Sequence, residues 1–167
     1  MKSAFFFFVI TVFFGLPSGA ANDPLTPLDF LIGKWSGGTP RAAGTDVFQR
    51  DLDGHVLQRL SHSLGAAPDG GAQHSMQAQL TVYPVGEHGA LAAIYFDNEG
   101  HVIHHNRVRV TAGERVEFLS DSREPSPVFR LTYSLKTGVI LHVKFEMAPP
   151  RQLSYRLIAE SDETATH

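Results

Sequence analysis

After Trp35 the chain runs in short β-rich stretches with almost no 3.6-residue periodicity between them, and in several of them apolar and polar side chains alternate one by one, the pattern of strands that bury one face. The clearest case is the pair Val128–Leu135 and Val139–Met147. Phe129, Leu131, Tyr133 and Leu135 fall on one face with Val139, Leu141, Val143, Phe145 and Met147, whereas Arg130, Thr132 and Ser134 fall on the other with His142, Lys144 and Glu146. The stretches Thr45–Leu52, His55–Gly65, Ala72–Tyr83, Ala90–Asp97, His101–Thr111, Glu114–Asp121 and Leu153–Glu160 are short β-rich runs set between turn residues and read as further strands. With a short strand begun at Trp35, the pattern predicts about ten strands and an all-β fold.

The punctuation between these stretches sets their connectivity. Asp53-Gly54, Asn98-Glu99-Gly100, Ala112-Gly113 and Lys136-Thr137-Gly138 are hairpin turns that place glycine where a positive φ is wanted. Every link suits antiparallel neighbours, so the strands form an up-and-down meander, which at this length curls and closes into a barrel. Alternate links then lie at the same end. The end where Trp35 enters, the bottom, carries mostly tight turns; the top carries Gly37–Gly44, Gly65–Gly71, Ser122–Pro127 and Ala148–Gln152, which read as longer loops. The predicted shape is a cup. Residues Pro24–Ile32, with Pro27 opening a helical turn and Gly33 ending it, are expected to close the bottom with Trp35 as its plug.

Ahead of the barrel, Met1-Lys2, the apolar run Ala4–Leu16 and the small residues Ser18-Gly19-Ala20 have the form of a secretory signal peptide. Residues 1–20 are therefore read as a signal and 21–167 as one barrel domain, exported to the periplasm or beyond, with no membrane span after cleavage. The chain has no cysteine, which excludes disulfides, a thiol nucleophile and a thiolate metal site, so stability must come from packing. A net charge of −3 without charge runs argues against nucleic acid as a partner. The acidic turns Asp51–Gly54 and Asp97–Gly100 lack a calcium-binding loop's closing glutamate, and no hydrolase or phosphate-loop motif occurs.

The apolar faces point into the cup, where Met76, Phe96, Phe129, Tyr133, Phe145, Met147 and Tyr155 are the expected lining of a pocket for a small, largely apolar molecule. Histidine, present nine times, is the remaining chemical signal. His62 continues the row Val56, Gln58, Leu60; His74 begins the row of Met76 and Ala78; His104 falls beside Ile94 and Phe96. All three are expected to face inward near the mouth and to take part in ligand binding, His62 and His74 approaching each other. The alternative is that the same three hold zinc or haem. No cofactor is otherwise implied and no catalytic residue is identified; an isomerase or hydrolase with a histidine base is the less favoured reading.

The Gly33-Lys34-Trp35 triplet after a short N-terminal turn resembles the Gly-x-Trp signature of lipocalins and related calycins, and the strand layout is similar to that of fatty-acid-binding proteins and nitrobindins. The segments "YFDNEGHVIHH" and "FRLTYSL…FEMAPP" also resemble a family of bacterial lipocalin-like proteins. The resemblance implies a calycin-like barrel with a central ligand cavity. It further implies an arginine late in the barrel that covers Trp35, a role open to Arg156 or Arg151 and assigned to Arg156, whose strand should neighbour the first. Nitrobindins bind haem through a histidine near the C-terminus, and Leu153–Glu160 contains none.

Overall fold

A computed structural model of the chain describes residues 23–39, 42–66, 73–120, 128–147 and 151–160. The expected signal segment, 1–20, lies outside the described residues. The strands are β1 Gly33–Thr39, β2 Ala42–Asp51, β3 Val56–Gly65, β4 His74–Val85, β5 Ala90–Asp97, β6 Val102–His105, β7 Arg107–Thr111, β8 Arg115–Leu119, β9 Phe129–Leu135, β10 Ile140–Met147 and β11 Arg151–Ala159. They form one antiparallel sheet of 11 strands in the order β6-β5-β4-β3-β2-β1-β11-β10-β9-β8-β7. The fold is thus an up-and-down barrel, nearly closed.

The extra strand has a simple origin. The expected strand His101–Thr111 breaks at Asn106; its first half pairs with β5 and its second with β8. One segment therefore changes partners midway and brings the two edges of the sheet together, with β7 lying close to β5. The first and last strands are neighbours as expected, Trp35 standing opposite Ala159. The Gly37–Gly44 link is shorter than expected, because β1 runs on to Thr39 and pairs it with Ala42. Glycine makes this possible: a Cβ on Gly37 would lie 2.2 Å from the carbonyl oxygen of Arg156, and one on Gly38 2.1 Å from that of Ala42.

At the bottom a 3₁₀ helix, Thr26–Leu31, follows Pro24-Leu25 and carries Pro27 in its first turn. It buries Leu25, Leu28 and Leu31 completely in the barrel core. Trp35 is 3% exposed, and its indole Nε1 donates to the Leu31 carbonyl at 2.7 Å. The backbone N–H of Gly113, in the β7–β8 turn, donates to the Pro27 carbonyl, and Arg50 bridges Asp23 and Asp29 on the outside. The single tryptophan therefore sits where one large ring can fill the bottom and still satisfy its N–H from the helix that covers it. Arg156 does not cover it. That residue is exposed on the outer face, opposite Gly38 and His142, and Arg151 is likewise exposed; the 3₁₀ helix does the covering instead.

Candidate ligand cavity

Inner-facing residues change size from one end of the barrel to the other. Around Trp35 they are Phe48, Leu57, Leu80, Val82, Phe118, Tyr133, Leu141 and Val143, which form a continuous packed core. Toward the top of β1 to β4 they become Gly37, Gly44, Ser61, Ser63 and Ala78. Gly37 pairs with Gly44, Gly44 with Ser63 and Ser63 with Met76, so one row across four strands carries two bare backbones and a single long side chain. With backbone alone at the two glycines and only small side chains at Ser61, Ser63 and Ala78, the upper barrel keeps a cavity of about 340 Å³. Its far wall is apolar, made by Ile103, Leu131, Phe145, Met147, Leu153 and Leu157. This volume lies at the small end of ordinary small-molecule sites.

The lining of the cavity includes one buried ion pair. Asp46 on β2 and Arg59 on β3 are 3% and 6% exposed. Arg59 Nε donates to Asp46 Oδ2 and Nη2 to Oδ1, both at 2.9 Å, a bidentate pair. Burial disfavours the guanidinium charge, but Tyr133 and Asp46 favour it, and the Arg59 pKa rises well above its ordinary value. The guanidinium carbon also stands 5.8 Å from the centroid of the Tyr133 ring. Tyr95 and Tyr155 share the lining with the pair. Burial pushes both phenols up, and the Asp97 carboxylate adds to the effect at Tyr95, whose hydroxyl donates to Asp97 Oδ2 at 3.2 Å.

His105 completes this group from the seam where β6 passes into β7. It is 1% exposed, packs edge-on against Phe118 at 6.0 Å and lines the cavity. Burial, helped by the neighbouring His104, lowers its pKa to about 4, so the imidazole is neutral at ordinary pH. Among the described residues, His105 Nδ1 and the Tyr133 hydroxyl have no hydrogen-bond partner. Unpaired polar atoms are uncommon in packed interiors, and those of Tyr133 and His105 belong to side chains that stand around the same ion pair or line its cavity.

Of the expected site residues, Met76, Phe145, Met147 and Tyr155 line the cavity. Phe129 shares their face and stacks on Phe145 at 5.9 Å, while Tyr133 is buried in the core below, in edge contact with Phe48 and Phe118. The others face elsewhere. His62 and Phe96 border a shallow groove on the outer wall with Val47, Leu60 and Gln79, and His62 Nε2 is 3.1 Å from Ser75 Oγ. His104 also faces out, because Ile103 and His105 are the buried residues of β6. His74 keeps the inner parity but sits exposed at the rim, 3.3 Å from Glu99.

The three histidines do not converge. His62 pairs with Gln77, whereas His104 pairs through Ile94 to Thr81, four residues along β4 and about 13 Å away. His74 stands on the opposite face from both, so neither the expected approach to His62 nor a shared metal centre forms. The one group of metal-type side chains found among the described residues is Asp97, Glu99 and His101, in the β5–β6 turn. Asp97 already accepts the backbone N–H groups of Glu99 and His101 there and pairs with the His101 ring. Burial pushes the Asp97 carboxyl up, but these hydrogen bonds outweigh it and its pKa falls.

The sequence reading missed Asp46, Arg59, Tyr95 and His105. A signal for the first two was present in the Asp53-Gly54 turn, whose register pairs Asp46 with Ser61 and Phe48 with Arg59. Asp46 and Arg59 are then diagonal neighbours on one face, an opposite-charge pair across two strands. No protein-family model matches the chain, and no curated protein matches it.

Proposed function

We propose that the chain is a calycin-like binding protein, exported by its N-terminal leader, that holds a small, largely apolar molecule in the upper barrel. The observation that carries this reading is the cavity left beside Ser61, Ser63 and Ala78, the small inner residues of β3 and β4, opposite an apolar wall, in a barrel otherwise packed with large residues. A barrel that needed only to be stable would fill that space, since an empty apolar volume lowers stability. Few polar groups, set together at one place, are the usual means of orienting a ligand in such a site. The alternative of zinc or haem held by His62, His74 and His104 has no common centre to rest on, and the reading includes no catalytic step.

Native mass spectrometry of the protein isolated from the cells or medium that produce it, with an absorption spectrum of the same sample, tests the proposal. The expected result is an organic adduct that is absent from the folded Met147→Asp protein. A zinc or haem adduct at stoichiometric level would contradict the proposal and favour the alternative.

A further inference from the structure

We propose that the cavity selects an uncharged ligand with a hydrogen-bonding head group, such as an alcohol, amide or ketone, and discriminates against the same molecule with an ionised carboxylate. The inference rests on the ligand-binding reading above and specifies its chemical class. Its basis is the charge balance of the cavity. Arg59 is the cation of the lining and Asp46 its bidentate counter-ion, both buried, so the pair contributes no net charge. Tyr95, Tyr155 and His105, the other titratable groups of the lining, are neutral near pH 7. Tyr133 beneath them is neutral as well, and Asp97, behind Tyr95, is a carboxylate that accepts the Tyr95 hydroxyl and the backbone N–H groups of Glu99 and His101, so among the described residues the only charge near the cavity besides the ion pair is negative.

A carboxylate brought to this place would be an uncompensated buried charge, because Asp46 already balances the charge of Arg59. A neutral head meets a different situation. Arg59 binds Asp46 through Nε and Nη2, so Nη1 lies outside that bidentate pair. His105 Nδ1 has no partner among the described residues and belongs to a neutral ring, able to donate or accept according to its tautomer. A hydroxyl or amide can satisfy such atoms without adding charge, and leaving them unsatisfied costs stability in the empty protein.

Competition against the neutral fluorescent probe N-phenyl-1-naphthylamine, using octan-1-ol, octanamide and octanoate on the full folded domain, tests this. At pH 7.5 octanoate should compete about tenfold or more weakly than octan-1-ol. At pH 5.5 the difference should narrow, because part of the octanoate can enter as the neutral acid, while octan-1-ol is unchanged. Asp46→Asn leaves the Arg59 charge unbalanced and should reverse the order in favour of octanoate. Octanoate equal to or tighter than octan-1-ol in the unaltered protein at pH 7.5 overturns the inference and leaves the binding reading standing. An unchanged order in folded Asp46→Asn also overturns it; if that variant does not fold, the pH series on the unaltered protein decides. Failure of the probe and all three competitors to bind removes the binding reading, and the inference with it.

Discussion

At the bottom of the barrel, Leu25, Leu28, Leu31 and Trp35 close-pack with the ends of the strands, and the one polar atom among these side chains, the indole N–H, has its acceptor at 2.7 Å. At the top, the same strands carry glycine, serine and alanine on their inner face, and a buried ion pair and an imidazole with an unpartnered nitrogen line one cavity. Strand parity is common to both ends and builds the barrel. What differs is the size and polarity of the residues on the inner parity, and that difference decides where the barrel is solid and where it is hollow. With the proposed function, stability and binding fall at opposite ends of one sheet, and substitutions should separate them.

The largest expected effect is at the bottom. Trp35→Ala should destabilise the fold by about 3–5 kcal/mol, the range for truncating a large buried aromatic ring. Denaturant melts of that variant showing a loss under about 1 kcal/mol would remove the bottom plug from the account.

The next effect comes from the top and depends on pH. His105 has its folded pKa near 4 against an ordinary value of 6.5, so the unfolded chain binds the extra proton first as pH falls. The contribution is complete above pH 6.5 and is lost as pH drops toward 4, by up to about 3 kcal/mol. Asp97, Asp23 and Glu160, whose pKa values are lowered, lose their contributions only below the ordinary carboxylate range. Stability followed from pH 7 to pH 5 should therefore decline in the unaltered protein and stay flatter in His105→Gln. Parallel curves would mean that His105 is not buried as a neutral ring.

A smaller change should affect binding alone. Met147→Asp, and separately Phe129→Asp, put a charge on the upper inner face and should weaken an apolar probe about tenfold while the protein still folds. Unchanged binding in both folded variants would place the site elsewhere. The smallest effect belongs to the outer wall: His62→Ala should leave probe binding as it is and shift stability by no more than about 0.5 kcal/mol. A loss of binding in that variant would point to the outer groove beside Leu60 and Phe96.

Most of the fold was legible because alternation and turn chemistry are local. The pairing of β9 with β10 through the Lys136-Thr137-Gly138 turn has the facing that its alternation predicts, with Leu131, Tyr133, Leu141 and Val143 buried inside. Parity failed where a strand opens on two adjacent apolar residues. Val56 and Leu57 are both buried, and starting the count on Val56 put His62 inside, when Leu57 begins the inner row that continues to Arg59, Ser61 and Ser63. Val102-Ile103-His104-His105 poses the same ambiguity, and His105 rather than His104 is inside. The site was the harder part to read because its inner positions are polar or small. The hydrophobic pattern that locates a core gives no weight to an arginine or a glycine facing inward, and only the hairpin register relates Asp46 to Arg59.

Backbone amide NMR of the folded domain titrated with octan-1-ol tests the hollow top against the solid bottom most directly. The account predicts saturable shifts at Gly44, Ser61, Met76, Phe145 and Met147, with Leu28, Trp35 and Leu141 unmoved. Shifts confined to the outer groove at Leu60, His62 and Phe96, or no saturable shifts at all, would contradict it.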